Sequence, residues 1–150
     1  MPKQKTVYVI RPFGMPFRHT IRQRILREGL SIVASRELKV PRWAFEEIYP
    51  RYADPKVPDE VWMRRLILTT GNFSEVGVLE GEDAVARLVR LVGTEADPAE
   101  CAVGTIRRDY GASAVERFDG FAFHLRVMHR PVDKVEAAHD LPIIEKLLRT

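Results

Sequence analysis

Apolar positions along this chain switch repeatedly between a period of two and a helical period. Thr6-Val7-Tyr8-Val9-Ile10 is a β-branched and aromatic run that reads as a buried strand, and Arg11-Pro12 ends it. Ile21, Ile25 and Leu26 then recur at helical spacing; Thr20-Ile21-Arg22-Gln23 fits a capping box at the start, and Gly29 stands where a C-cap glycine belongs. Leu30 to Val40 reads as the second strand, centred on Ile32 and Val33, and Pro41 suits the first turn of a helix reaching Tyr49. Beyond the loop Asp54-Pro55-Lys56-Val57-Pro58-Asp59, Asp59 caps a helix through Thr70, with Val61, Trp62, Leu66 and Ile67 inward. Val76-Gly77-Val78-Leu79 is a third strand, and Asp83 to Val92 a helix whose Ala84, Leu88, Leu91 and Val92 form its buried stripe. Gly93 to Gly104 is a loop of nearly the longest kind that compact domains carry. Phe121 to Val127 alternates at period two and is expected to be the fourth strand. A last helix covers Lys134 to Asp140, and Pro142 is expected to separate it from Ile143 to Leu148.

Four strands with helices between them, and crossovers long enough to be right-handed, predict an α+β fold. The specific expectation is a ferredoxin-like split βαβ sandwich, a four-stranded antiparallel sheet covered by helices, in a single domain over residues 1–150.

Composition narrows the class without naming a function. An apolar fraction of 45% and a charged fraction of 30% fit a soluble globular protein. No run approaches the ~18 apolar residues of a membrane span. No signal peptide is visible before the first strand, which predicts a cytoplasmic protein. Cys101 is the only cysteine, so no internal disulfide can form. The net charge of +3 is spread along the chain without a polybasic block, which argues against a nucleic-acid partner and permits a phosphate ligand.

The chemistry concentrates between Gly104 and Arg130. Gly104-Thr105-Ile106-Arg107-Arg108-Asp109-Tyr110 sets a glycine, a hydroxyl and two guanidinium groups close together. Glycine lets a backbone approach an anion, and arginine offers phosphate a planar fork of donors. Arg126-Val127-Met128-His129 ends an apolar alternation on an imidazole. An arginine-bearing phosphate loop followed by a histidine at a strand end points to phosphoryl transfer through histidine.

These residues resemble the nucleoside diphosphate kinase family. Val9-Ile10-Arg11-Pro12 is similar to its "I-K-P-D", Glu28 to Ala34 to "K-G-x-x-I-V-A", and Glu46-Glu47-Ile48-Tyr49 to "E-E-H-Y". Val78 to Val85 resembles "V-L-E-G-E-N-A-V". Arg90 precedes Pro98-Ala99-Glu100 as in "R-x-x-x-G-A-T-N-P-A". Gly104 to Tyr110 is nearly "G-T-I-R-G-D-F", and Arg126 to His129 stands for "N-V-I-H". The motifs fall in the family's order over residues 5 to 140. The chain also departs from the pattern. Arg11 replaces a lysine, Phe13 an aspartate and Arg126 an asparagine, and Ala96 aligns with the threonine, with Thr94 nearby. No aromatic stands near Val57-Pro58, where the base-stacking residue belongs; the serine after the histidine is lost; and the segment from Tyr110 to His129 is longer.

The resemblance implies ping-pong transfer of the γ-phosphate of ATP to nucleoside diphosphates, with Mg²⁺ on the nucleotide phosphates and no metal held by the protein. It implies His129 as nucleophile, Arg11, Tyr49, Arg90, Thr94, Arg107 and Arg126 around the nucleotide phosphates, and Asp140 as the acidic group orienting the imidazole. It also implies a homo-oligomer, a dimer-based tetramer or hexamer. Read from single residues alone, His129 is a structural strand-end histidine and Arg90 a solvated one, His124 is a rival to His129, and His19 and His139 are surface residues. Two further functions remain open at this level. One is a catalytically weak nucleotide-binding module with a regulatory or assembly role, the other a ferredoxin-like domain that binds protein or RNA.

Overall fold

The computed structural model describes residues 3–49, 59–95, 97–111, 115–118, 121–124 and 126–150, with the backbone alone described at 115–118 and 121–124. The expected loop at Asp54–Pro58, with the base-stacking position, and Ala96 therefore lie outside the described residues, as does the side chain of His124. The described residues form strands β1 (Lys3–Ile10), β2 (Ser31–Lys39), β3 (Phe73–Glu82), β4 (Val115–Phe118), β5 (Phe121–His124) and β6 (Met128–His129), together with six α-helices. These are α1 (Arg18–Arg27), α2 (Arg42–Ile48), α3 (Asp59–Thr70), α4 (Ala84–Val92), α5 (Ile106–Tyr110) and α6 (Lys134–Arg149). The main sheet has the order β2-β3-β1-β6 with every pairing antiparallel, the topology of the ferredoxin-like split βαβ fold.

Alternation along the central strands explains why helices cover both faces. Val7 and Val9 of β1 join Val76 and Val78 of β3 on one face, against Phe45, Trp62, Leu66, Ile144 and Leu147 from α2, α3 and α6. Tyr8 and Ile10 point the other way with Leu79, against Ile21, Ile25, Leu88 and Ile106 from α1, α4 and α5. With both sides of β1 and β3 buried, these strands contribute to two cores, each covering helix packs into one of them, and the sheet forms the wall between them.

The fourth sheet strand is not the one the alternation selects. Phe121–His124 pairs with Val115–Phe118 in a separate two-stranded sheet, and Met128–His129 joins β1 instead, with His129 opposite Val9 and Met128 opposite Ile10. Period two marks an extended segment and does not say which neighbour it pairs with. Three other local expectations also change. The first helix begins at Arg18, fed directly by a 3₁₀ run over Pro12–Phe17, so Thr20 lies inside it and caps nothing. Leu26 and Ile67 are exposed at 55% and 60% instead of inward. Helix α6 runs unbroken through Pro142, because Ile143, Ile144 and Leu147 are buried against the core just beyond it. That burial, at about 1.5–3 kcal/mol per side chain, outweighs the ~3 kcal/mol that an interior proline costs.

A buried carboxylate ties α1 to the sheet. Glu75 of β3 is 1% exposed; it accepts from Tyr8 Oη at 2.6 Å, Arg18 Nε at 3.0 Å and Arg22 Nη1 at 2.8 Å. Burial, and then the neighbouring Glu75 carboxylate, push the Tyr8 phenol far above its ordinary range. The Tyr8 ring lies over Gly77, where an added Cβ would come within 2.6 Å of Cζ and 2.7 Å of the hydroxyl oxygen. Gly77→Ala is therefore expected to lose about 2 kcal/mol of stability through overpacking. A urea midpoint matching the parent would contradict this.

Candidate active site

A cavity of about 690 Å³ opens where the end of β6, the last turn of α2, α5 and the first turns of α6 converge. His129 is placed there by backbone, since its strand pairs with β1 and the Arg11 amide donates to the Val127 carbonyl at 2.9 Å. Gly14 packs so tightly on that carbonyl that a side chain there would displace it. Helix α6 supplies the opposite wall. Asp133 caps it by accepting from the Glu136 amide at 2.9 Å, which aims Glu136 and Asp140, four residues apart, at one face.

The imidazole is held from two sides. His129 Nε2 lies 3.0 Å from Asp140 Oδ2, and Glu136 Oε1 stands 3.9 Å away. The Tyr49 ring meets it edge-on, with centroids 5.0 Å apart and planes inclined at 73°. A carboxylate oxygen only accepts, so Nε2 carries the hydrogen and Nδ1 keeps its lone pair. Burial lowers the pKa of His129, against the opposing pull of Asp140.

That direction fixes a pH dependence. Below the ordinary histidine value of about 6.5, the unfolded chain takes up a proton that the folded imidazole refuses, so stability falls as pH drops from there to the folded pKa. The Cε1 proton resonance of His129 is expected to titrate with a midpoint below about 6.5, and a midpoint above that value would reverse the sign.

Arginines form the remaining wall. Arg107, 3% exposed, donates to the carbonyls of Gly93 at 3.4 Å, Glu95 at 2.9 Å and Met128 at 3.2 Å. Burial, then the Arg130 and Arg126 charges, push its pKa down to about 10, so it stays cationic at neutral pH. Arg130, 7% exposed, donates to the same Gly93 carbonyl at 2.7 Å; burial lowers its pKa too. Arg126 lines the cavity, its pKa lowered by burial and then by Arg11. Among the described residues none of these three guanidinium groups forms an ion pair with a carboxylate. The Tyr49 hydroxyl is buried without a hydrogen-bond partner among the described residues, and burial raises its pKa.

Of the residues singled out in the sequence, the cavity gathers His129, Asp140, Tyr49, Thr94, Arg107 and Arg126. Arg11 lies just behind, its guanidinium 5.2 Å from the Tyr49 ring centroid and its Nη2 donating to Thr69 Oγ1 at 2.8 Å. Arg90 is on the exposed side of α4 and does not line the cavity. Arg130 and Glu136, which sequence reasoning gave no role, also line it, as does His139, which reads from sequence as a surface residue. The Asp133-x-x-Glu136 capping pattern, with Asp140 one turn further, was the available signal for the α6 wall.

The family model for nucleoside diphosphate kinase matches residues 4–143. The chain belongs to the nucleoside diphosphate kinase family. Among relatives, the nucleoside diphosphate kinase of Natronomonas pharaonis is 33% identical over 110 residues, 72% of this chain and 69% of that protein. That of Sorangium cellulosum is 32% identical over 120 residues, 77% of this chain and 78% of that protein. The nucleoside diphosphate kinase of Borrelia burgdorferi, solved with vanadate and ADP as a transition-state mimic, superposes with a TM-score of 0.76 at 23% identity, covering 94% of this chain and 86% of that one. The Halobacterium salinarum enzyme in complex with CDP gives 0.75 at 20% identity, covering 95% and 87%. The family is one of phosphotransferases, and this member is an enzyme of that class. No helix among the described residues is long and apolar enough to cross a membrane.

Proposed function

We propose that this nucleoside diphosphate kinase family member transfers the γ-phosphoryl group of ATP to nucleoside diphosphates through a phosphohistidine at His129. The observation that carries the reading is an imidazole anchored through Nε2 by Asp140, in a cavity walled by guanidinium groups that form no carboxylate ion pair among the described residues. In the first half-reaction the Nδ1 lone pair attacks the γ-phosphorus, the bond to the ADP oxygen breaks, and the Nε2 hydrogen stays on its nitrogen, hydrogen-bonded to Asp140. The second half-reaction reverses these steps onto a nucleoside diphosphate oxygen. Arg107, Arg126 and Arg130 offset charge on the transferring group, and the unpartnered Tyr49 hydroxyl has a hydrogen bond left to donate.

His129, Glu136 and Asp140 do place ligand-type atoms within 4.8 Å of one another. Both Asp140 oxygens are already engaged by imidazoles, however, and the facing wall is cationic, so the set does not fit a resident cation. Mg²⁺ would enter on the nucleotide, where it would offset phosphate charge.

We expect a cytoplasmic homo-oligomer, dimer-based as a tetramer or hexamer. Apolar side chains left exposed on α1 and on the edge strand β2, Leu26 at 55% and Val33 at 52%, support self-association, which light scattering would measure.

The deciding experiment incubates the protein with γ-labelled ATP and Mg²⁺ without acceptor. Retained label that is acid-labile, base-stable and chased off by GDP is the expected result. ATP binding without label would instead make the chain a nucleotide-binding module.

A further inference from the structure

Asp140 is 1% exposed, and each of its carboxylate oxygens faces an imidazole. Oδ2 lies 3.0 Å from His129 Nε2, and Oδ1 lies 2.9 Å from His139 Nδ1. Both facing nitrogens must carry hydrogen, because the carboxylate can only accept. We infer that His139 is a positioning residue for His129, acting through Asp140; this rests on the reading of His129 as nucleophile.

The contact is not a by-product of chain neighbourhood. Consecutive helical residues point about 100° apart, so the His139 ring has to fold back to reach the side chain next to it. A carboxylate torsion is broad and two-fold, and one hydrogen bond from His129 would leave its plane free to turn. A second donor on the opposite oxygen removes that freedom, and the fixed plane sets the tilt of the His129 ring. Among the described residues no other group takes over the task. Glu136 and Asp133, the other acids of α6 at the cavity, accept and do not donate to a carboxylate. Arg107 and Arg130 donate to backbone carbonyls, and Arg126 and Tyr49 make no hydrogen bond to Asp140. Among the described residues His139 is the sole donor on Oδ1. It is also the solvent-facing member of the chain His139–Asp140–His129, with side-chain exposures of 55%, 1% and 11%. The nucleophile's geometry is thereby tied to a residue at the mouth of the cavity.

The test compares the wild-type protein with His139→Ala and His139→Asn, the latter because its amide nitrogen can stand where Nδ1 stood. The first readout is the imidazole ¹⁵N spectrum of His129 in the nucleotide-free protein, which reports tautomer and order. The second is the rate of label uptake from γ-labelled ATP and its half-saturating concentration. In His139→Ala the His129 nitrogen signals are expected to shift toward a tautomer mixture and label uptake to slow roughly tenfold, with half-saturation changed by less than about twofold. His139→Asn is expected to restore most of both. Unchanged ¹⁵N signals and rate in His139→Ala would overturn the inference, as would failure of a folded His139→Asn to restore them. If the wild type takes up no label, the kinase reading fails, and the ¹⁵N comparison alone still decides whether His139 positions His129.

Discussion

His129→Ala is expected to take up no label from γ-labelled ATP and to lose turnover by roughly 10⁴-fold or more, because the covalent step runs through the imidazole it removes. The alanine variant also strips Asp140 Oδ2 of its donor inside a buried site, which destabilises the fold by about 1–3 kcal/mol. Loss of activity could then be misread as loss of structure. His129→Gln separates the two: its amide can still donate toward Asp140, but it has no nucleophilic nitrogen. A glutamine variant that melts close to the parent and stays unlabelled confirms the assignment. A labelled alanine variant would move the nucleophile, with His124 the next residue to substitute.

Glu75→Ala, outside the cavity, is expected to destabilise the fold by about 3 kcal/mol. It removes the shared acceptor of Tyr8, Arg18 and Arg22, leaving the buried phenol without its acceptor and Arg22 with Ser35 Oγ at 3.1 Å in place of a carboxylate. The figure is set at the low end for a buried ion pair because the arginine side chains are 30% and 31% exposed and water can solvate them in part. Arg18 also keeps Glu37 at 2.8 Å as a second partner. Activity at a temperature where the variant is folded should change little, since Glu75 does not line the cavity. A denaturation midpoint equal to the parent's would show that the arginines find other partners.

Sequence reading succeeded where one local rule decides. The alternation of Val7, Tyr8, Val9 and Ile10 specifies a strand buried on both faces, and the motifs around His129, Arg107 and Tyr49 name side chains that the fold collects in one cavity. It failed where tertiary context chooses between locally equal options. Phe121–His124 alternates as well as a sheet strand should, yet pairs with Val115–Phe118 instead of the main sheet, because alternation does not select the partner strand. Pro142 carries the usual signature of a helix end and is overruled by the apolar residues behind it. Arg90 keeps the motif spacing but faces outward, because spacing along a helix does not fix how the helix is rotated about its axis. His139 looked like a surface residue and mostly is one. Its hydrogen bond to Asp140 depends on a side-chain rotamer, which no pattern of residue types encodes.

The way β6 is held has a consequence for how this region can change length. Its two residues are fixed from outside the preceding segment, by pairing to β1, by the Arg11 amide on the Val127 carbonyl, and by Arg107 on the Met128 carbonyl. Strands β4 and β5 pair with each other and, among the described residues, make no ladder with the main sheet. Lengthening an already long connection adds only about 0.6 kcal/mol per doubling. Material spliced in between α5 and Arg126 is therefore expected to leave the imidazole in place, which makes this stretch a graft site for new recognition elements beside the His129 cavity.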